Sequence, residues 1–305
     1  MARTVMEVME AAARKFGTFP ALKSKINGNW QTITWEEYRA QSRLVAQALI
    51  TLGLKAKDGV AIIGNNCPQW FICDVASIYA GGVPAGIYTT NSPEQCRYIA
   101  ENSDASIAVV ENQEQLAKFK EVEKDLPKLK AIIMMTGSDS ADNVYSWEEL
   151  PTLAEKTSEQ DLEERINAQN PDDLCTLIYT SGTTGNPKGV MITHTNLTWT
   201  AQAMTEILAG STNDRVISYL PLSHIAEQML SLHTPMQLGG SSWFAESLDL
   251  LGDNLREVRP TIFLGVPRVW EKIQAKMVAA GMQNPPIKKK LVTWAKGKGL
   301  KGGYA

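Results

Sequence analysis

Short apolar runs recur along the first half of the chain at intervals suited to a helix. Val60–Ile63, Ala85–Tyr88, Ile107–Val110 and Ala131–Met135 are runs rich in Val, Ile and Ala. Between them lie segments with helix start and stop signals, such as Pro68 to Gly81-Gly82 and the segment opened by Ser92-Pro93-Glu94. A strand covered on both faces reads as a continuous apolar run, and parallel neighbours need a crossover that is usually a helix. The alternation therefore predicts an α/β fold of mostly parallel, helix-covered sheets.

The flanking segments fill in the order of elements. Val5, Met9, Ala12 and Phe16 share one helical face with Glu7 and Glu10 interspersed, which is an amphipathic helix and not a signal peptide. Ala21–Ile26 and Trp30–Ile33 flank Asn27-Gly28, a strong hairpin signal, and Thr34 with Glu37 forms a capping box for a helix that stops at Gly53. The acidic, polar stretch 137–169 lacks a long apolar run and reads as a loop-rich boundary. Beyond Pro171 the expected elements are strands Leu174–Tyr179 and Val190–Thr193, helix Asn196–Ala209, strand Val216–Leu220, a helix to Gly239, strand Thr261–Leu264 and helix Arg268–Met277. The expected organisation is one α/β subdomain over 1–170 and a second beginning at 171 and running to 305.

Composition limits the classes of function. With 305 residues, 44% of them hydrophobic, the chain can bury a full core, which excludes a disordered or disulfide-stapled protein. The formal charge of −3 conceals an asymmetry: all 33 acids lie at or before Glu271, and the rest of the chain holds eight lysines and no acid. A basic segment can face nucleic acid or an anionic membrane. No aromatic-rich binding pattern accompanies the lysines, so a solvated helix face is preferred and no nucleic acid is expected. Cys67, Cys73, Cys96 and Cys175 form no CxxC pair, and His194, His224 and His233 lack zinc spacing, so neither a disulfide nor a protein metal site is expected. The uncharged run Val75–Pro93 is broken by Gly81, Gly82, Pro84 and Gly86 and does not read as a membrane span.

The densest chemical signal is Tyr179-Thr180-Ser181-Gly182-Thr183-Thr184-Gly185-Asn186-Pro187-Lys188-Gly189. Glycines allow close approach to an anion, hydroxyls and backbone amides donate to phosphate oxygens, and Lys188 supplies a point charge. A plain hairpin loop needs neither the lysine nor four hydroxyls. It is not a Walker loop, because Pro187 precedes Lys188 and the segment leads into a strand. His224, in Pro221-Leu222-Ser223-His224, is a candidate catalytic residue, with a packed or capping histidine as the alternative; His194 and His233 read as structural. Trp199, Trp243 and Trp270 read as core aromatics. Gly297-Lys-Gly299-Leu-Lys-Gly302 satisfies GxGxxG but has no strand before it, and Met204-Thr205-Glu206 sits inside a helical pattern.

YTSGTTGNPKGV at 179–190 resembles the phosphate-binding signature of the adenylate-forming enzymes: acyl-CoA synthetases, aryl-CoA ligases, luciferases and peptide-synthetase adenylation domains. Gly86–Ala105, Ser218–Gln228, Gly265–Ile273 and Thr34–Tyr38 resemble long-chain fatty acyl-CoA synthetases of the bubblegum type, and the similarity runs over nearly the whole chain. The resemblance implies the fold of that family's N-terminal domain, incomplete. It implies a fatty acid–CoA ligase with ATP, Mg2+ and CoA, proceeding through an acyl-adenylate. It places Thr180, Ser181, Gly182, Thr183, Thr184, Gly185 and Lys188 on the ATP phosphates and His224 near the acyl and adenylate site.

Related enzymes carry a later Tyr-Gly-x-Thr/Ser-Glu segment, a ribose-binding Asp and a small domain with a catalytic Lys, and no acid follows Glu271 here. The expectation is therefore a partial chain, with a sheet edge and apolar surface uncovered after Gly265, that does not form acyl-CoA at a normal rate. Two alternatives stand beside it: an inactive family member that acts by self-association through its exposed core, and an adenylating enzyme for another acid. The expected location is the cytoplasm. Fatty substrates and Lys288–Lys290 leave peripheral contact with the endoplasmic reticulum or another membrane open.

Overall fold

The structure, a computed structural model, describes residues 3–180, 185–283 and 285–303. It divides into two compact units, Met1–Ile262 and Phe263–Ala305. The first opens with α1 (Val5–Phe16), held by a Thr4–Glu7 capping box, then the hairpin β1 (Pro20–Ile26) and β2 (Asn29–Thr34). The Thr34–Glu37 capping box starts α2 (Trp35–Thr51). Such reciprocal caps satisfy amides that the first helical turn leaves free.

The expected alternation follows: β3 (Gly59–Ile63), α3 (Pro68–Tyr79), β4 (Val83–Ile87), α4 (Pro93–Asn102), β5 (Ala105–Val110), α5 (Gln113–Val122) and β6 (Ala131–Met134). Next come β7 (Val144–Ser146), α6 (Leu150–Ala154), α7 (Glu159–Asn167), β8 (Leu174–Thr180) and β9 (Lys188–Thr193). These strands form one sheet in the order β7-β6-β5-β3-β4-β8-β9, parallel throughout except for the β8–β9 pair. Every residue of β3, β4, β5 and β6 is buried. Val60 and Ile62 enter the core on one face, Ala61 and Ile63 that on the other, as the two-residue period of a strand requires.

A second sheet of order β10-β11-β1-β2 joins β10 (Arg215–Ser218) and β11 (Ser241–Phe244) to the first hairpin, with β11 parallel to β1. Both sheets thus draw strands from either side of residue 170. α3 is buried along nearly its whole length from Trp70 to Tyr79, and its Phe71 meets Phe244 of β11 edge to face at 4.9 Å. A helix enclosed on all sides must be apolar all round, which is why this segment carries no amphipathic stripe.

Three expectations need correction. The stretch 137–169 contains an edge strand and two helices; β7 is too short to show a period, and α7 starts from a Ser158–Asp161 capping box. The helix to Gly239 is three pieces after α8 (His194–Leu208): α9 (Ile225–Glu227), a π-helical turn at Gln228–His233 and α10 (Thr234–Leu238). Pro235 cannot donate to the Ser231 carbonyl, and the Ser242 hydroxyl takes that acceptor instead. Residues 261–264 do not form a strand: the amides of Thr261 and Ile262 converge on one carbonyl, Arg215 O, leaving a single bridge from Ile262 to Val216. β11 and α11 (Leu251–Val258) went unread in the sequence.

The second unit consists of α12 (Pro267–Met282) and α13 (Pro286–Gly303). Gly297–Gly302 lies inside α13, so the GxGxxG there is helical and makes no phosphate loop. Among the described residues no helix is long and apolar enough to cross a membrane.

Candidate active site

The β8–β9 hairpin carries the Ser/Thr/Gly segment. Thr180 and Lys188 are its last paired residues, so the pairing itself sets both at the mouth of the loop, and both are exposed. Gly185 has φ +94° with open space around it, a backbone that L side chains rarely adopt. Tyr179 lies one residue before the mouth, and its hydroxyl donates to Asn102 Oδ1 at 2.8 Å, fastening the hairpin to α4. Ser181, Gly182, Thr183 and Thr184 lie outside the described residues. Of the predicted phosphate-binding set, the structure pairs Thr180 with Lys188 and describes Gly185 in the loop that joins them.

His224 caps α9: its Nδ1 accepts the Ala226 amide at 3.1 Å, and the residue is exposed. It makes no hydrogen bond to Thr180, Gly185 or Lys188. The segment that carries His224 nonetheless lies against β4, the strand next to the hairpin. A Cβ at Gly86 of β4 would come within 2.8 Å of Ser223 Cα, so the bare backbone of β4 lets the 221–224 segment lie directly against it. Gly86 pairs with Ile178 of β8, two residues before Thr180.

The same segment walls a cavity of about 610 Å³ that the sequence did not disclose. Its lining comes from the carboxyl ends of parallel strands in both sheets, including Gly64 and Asn66 after β3, Tyr88 after β4, Glu111 after β5, Tyr219 after β10 and Ala245 after β11. Open α/β sheets place ligands at that end, so the residues following each apolar run were the signal available. Asn66 Nδ2 donates to Ser218 Oγ at 2.8 Å and to Leu220 O at 2.7 Å, linking the sheets across the cavity. Glu111 accepts from the Asn65 amide at 2.9 Å. Burial pushes the Glu227 carboxyl, just behind this wall, up to about 7.

The other histidines are packed inside. His194 Nδ1 accepts the Val5 amide at 3.2 Å, and burial lowers its pKa to about 4; His233 is lowered by burial to about 3. Cys73, Cys96 and Cys175 are buried free thiols, and burial raises all three, opposite to what a nucleophile needs. Among the described residues no group of three or more His, Cys, Asp or Glu can hold a metal ion. Trp199 and Trp270 are not core residues: they are 70% and 52% exposed, Trp199 lying off the His194, Leu197, Thr198 and Ala201 stripe that α8 buries. Trp243 packs edge to face on Trp30 at 4.8 Å.

Comparison with known proteins adds the family. A family model described as AMP-binding enzyme matches residues 9–300. The long-chain-fatty-acid–CoA ligase ACSBG2 of Xenopus laevis is 47% identical over 306 residues, covering 97% of this chain and 41% of the relative. The ligase ACSBG1 of Rattus norvegicus is 43% identical, covering 96% and 42%. The chain therefore spans about two fifths of the length of the curated relatives it matches. Among solved structures, a long-chain-fatty-acid–CoA ligase from Archaeoglobus fulgidus aligns with TM-score 0.77 and 21% identity over 92% of this chain and 55% of that one. An anthranilate CoA ligase bound to anthranoyl-AMP aligns equally well, with TM-score 0.77 and 21% identity over 88% of this chain and 51% of the other.

Proposed function

The chain belongs to the AMP-binding enzyme family, and from that premise we propose that it handles ATP and a long-chain fatty acid in acyl-CoA ligation. In this reading the fatty carboxylate attacks the α-phosphate of Mg-ATP, pyrophosphate leaves, and the thiol of CoA displaces AMP from the acyl-adenylate. Magnesium enters with the nucleotide as part of that substrate. The observation that carries the reading is the hairpin mouth, where Thr180 and Lys188 face each other across the last β8–β9 pair and Gly185 holds a left-handed backbone. A fixed lysine charge with hydroxyl and amide donors around it suits a triphosphate. Thr180, Ser181, Gly182, Thr183, Thr184, Gly185 and Lys188 hold the phosphates, and His224 stands at the acyl and adenylate side.

The identity to fatty-acid ligases along nearly the whole chain supports a long-chain acid over an aromatic one. The fold does not discriminate between them, since the fatty-acid and anthranilate ligases align equally well. The test measures ATP affinity and acid-dependent ATP–pyrophosphate exchange with palmitate and anthranilate as competing substrates. Palmitate-dependent exchange supports the proposal even at a rate far below that of a full-length ligase, as expected of a chain spanning two fifths of its relatives. Exchange driven by anthranilate alone removes the fatty acid, and absence of ATP binding removes the whole reading.

Exposed Lys288 and Lys290 on α13 support peripheral membrane contact as part of the same proposal. Flotation with anionic liposomes that vanishes at high salt is the expected result. Self-association is checked by gel filtration across protein concentrations.

A further inference from the structure

The wall between β10 and α9 contains a buried acid that forms no salt bridge among the described residues. Glu227 is wholly buried, three residues after His224. Its Oε1 accepts from Ser231 Oγ at 2.7 Å, and the Ser218 hydroxyl and the backbone amides of Tyr219 and Leu220 face the same carboxyl group. Its Oε2 is buried without a well-formed hydrogen bond. From the opposite side Asn66 bonds both Ser218 Oγ and Leu220 O. The 218–220 backbone is thus gripped by a residue that follows β3 of one sheet and by a helix residue behind the other. The π-helical turn that begins at Gln228 follows directly; such turns often mark functional sites.

A buried carboxyl costs stability unless its environment compensates it, and here burial outweighs the donors around it, pushing the group up to about 7. The grip has one evident product: it fixes both ends of the segment that runs from Ser218 to His224, lines the cavity through Ser218, Tyr219, Pro221 and Ser223, and presents the His224 ring at its end.

We propose that Glu227 is a positioning residue: together with Asn66 it holds the Ser218–His224 segment in place, and so fixes the orientation and tautomer of His224. This rests on the reading of His224 as a functional residue, but it is tested without any turnover. Long-range proton–nitrogen spectra of the imidazoles, recorded at mildly alkaline pH, show which ring nitrogen carries the proton. In the wild type His224 keeps Nδ1 as acceptor of the Ala226 amide. In Glu227→Ala the preference for that tautomer falls about fivefold, the worth of one neutral hydrogen bond. Glu227→Gln, which keeps the shape and an acceptor, restores it. Signals of His194 and His233 stay in place and report that the core is intact. Asn66→Ala grips from the other side and serves where Glu227→Ala does not fold; it moves His224 in the same direction. His224 signals that superimpose on the wild type in the folded variants overturn the proposal. Separately, a His224→Ala chain with unchanged palmitate-dependent exchange overturns the functional reading of His224 while leaving the spectral result to judge the grip.

Discussion

The parallel part of the seven-stranded sheet and its antiparallel end are built on opposite terms. In β3, β4, β5 and β6 every residue is buried, whereas in β9 none is, and Met191 and Val190 are 70% and 46% exposed. β8 is the seam: Cys175 to Tyr179 are buried and Thr180 emerges. A strand enclosed on both faces is constrained by packing along its whole length. A strand that packs only lightly, through Ile192, and leaves its other large side chains in water is free to carry a loop whose residues answer to a ligand. Rigidity and the proposed chemistry are thus separated along a single sheet, with the cavity at the carboxyl ends of the enclosed strands between them.

The largest effect that tests this separation falls on the enclosed side. Phe71→Ala removes a fully buried ring that contacts Phe244 of the second sheet, and denaturant unfolding should show a loss of about 3–5 kcal/mol. A loss below about 1 kcal/mol would mean that α3 is not the packed centre described here.

Charge inside the enclosed region comes next. Asp74 is raised by burial from 3.8 to about 7, so its stability contribution is present below pH 3.8 and is lost as pH rises through about 7. Asp74→Asn should gain on the wild type over that window, by on the order of 4 kcal/mol at its upper end. His233 has the opposite sign: lowered from 6.5 to about 3, it contributes stability above pH 6.5 that is lost as pH falls toward about 3. His233→Phe should therefore gain on the wild type in acid. Unfolding curves of the variants across that pH range check both signs.

At the open end the expectation reverses. Lys188→Ala should weaken ATP binding about tenfold or more, the scale of one charge-assisted hydrogen bond, while leaving the unfolding midpoint unchanged. Equilibrium nucleotide binding beside a denaturation curve separates the two. Smallest of all, Met191→Ala should alter neither stability nor ATP affinity beyond about 0.5 kcal/mol, because its side chain is already in water.

The same contrast explains what could be read from the sequence. The strands around Val60, Ala85, Ile107 and Ala131 announce themselves because enclosure on two faces demands unbroken apolar runs. The first hairpin and the caps at Thr34 and Ser92 are readable because turn and cap chemistry is local. β7 and β11 escaped notice: strands of three and four residues carrying serines show too little period to register. The parallel pairing of β1 with β11 depends on contacts more than two hundred residues apart, which no local pattern encodes. The π turn at Gln228–His233 goes with a Ser231 carbonyl that Pro235 cannot bond and the Ser242 hydroxyl does, a pairing that no local period announces. For the site, the loop chemistry at Thr180, Gly185 and Lys188 was readable from residue types. Asn66 and Glu227 were not, because an ordinary Asn and Glu gain their meaning only when two sheets bring them to the same backbone segment.

The central claim is that ATP is held at the open hairpin mouth and that the enclosed strands serve as scaffold. Hydrogen–deuterium exchange of the 305-residue chain with and without Mg-ATP tests it most directly. The account predicts nucleotide-dependent protection in peptides covering 179–190 and none in peptides covering β3, β5 and β6, with the protection in Lys188→Ala needing about tenfold more nucleotide. Protection confined to other peptides, with 179–190 unchanged at saturating nucleotide, would contradict it.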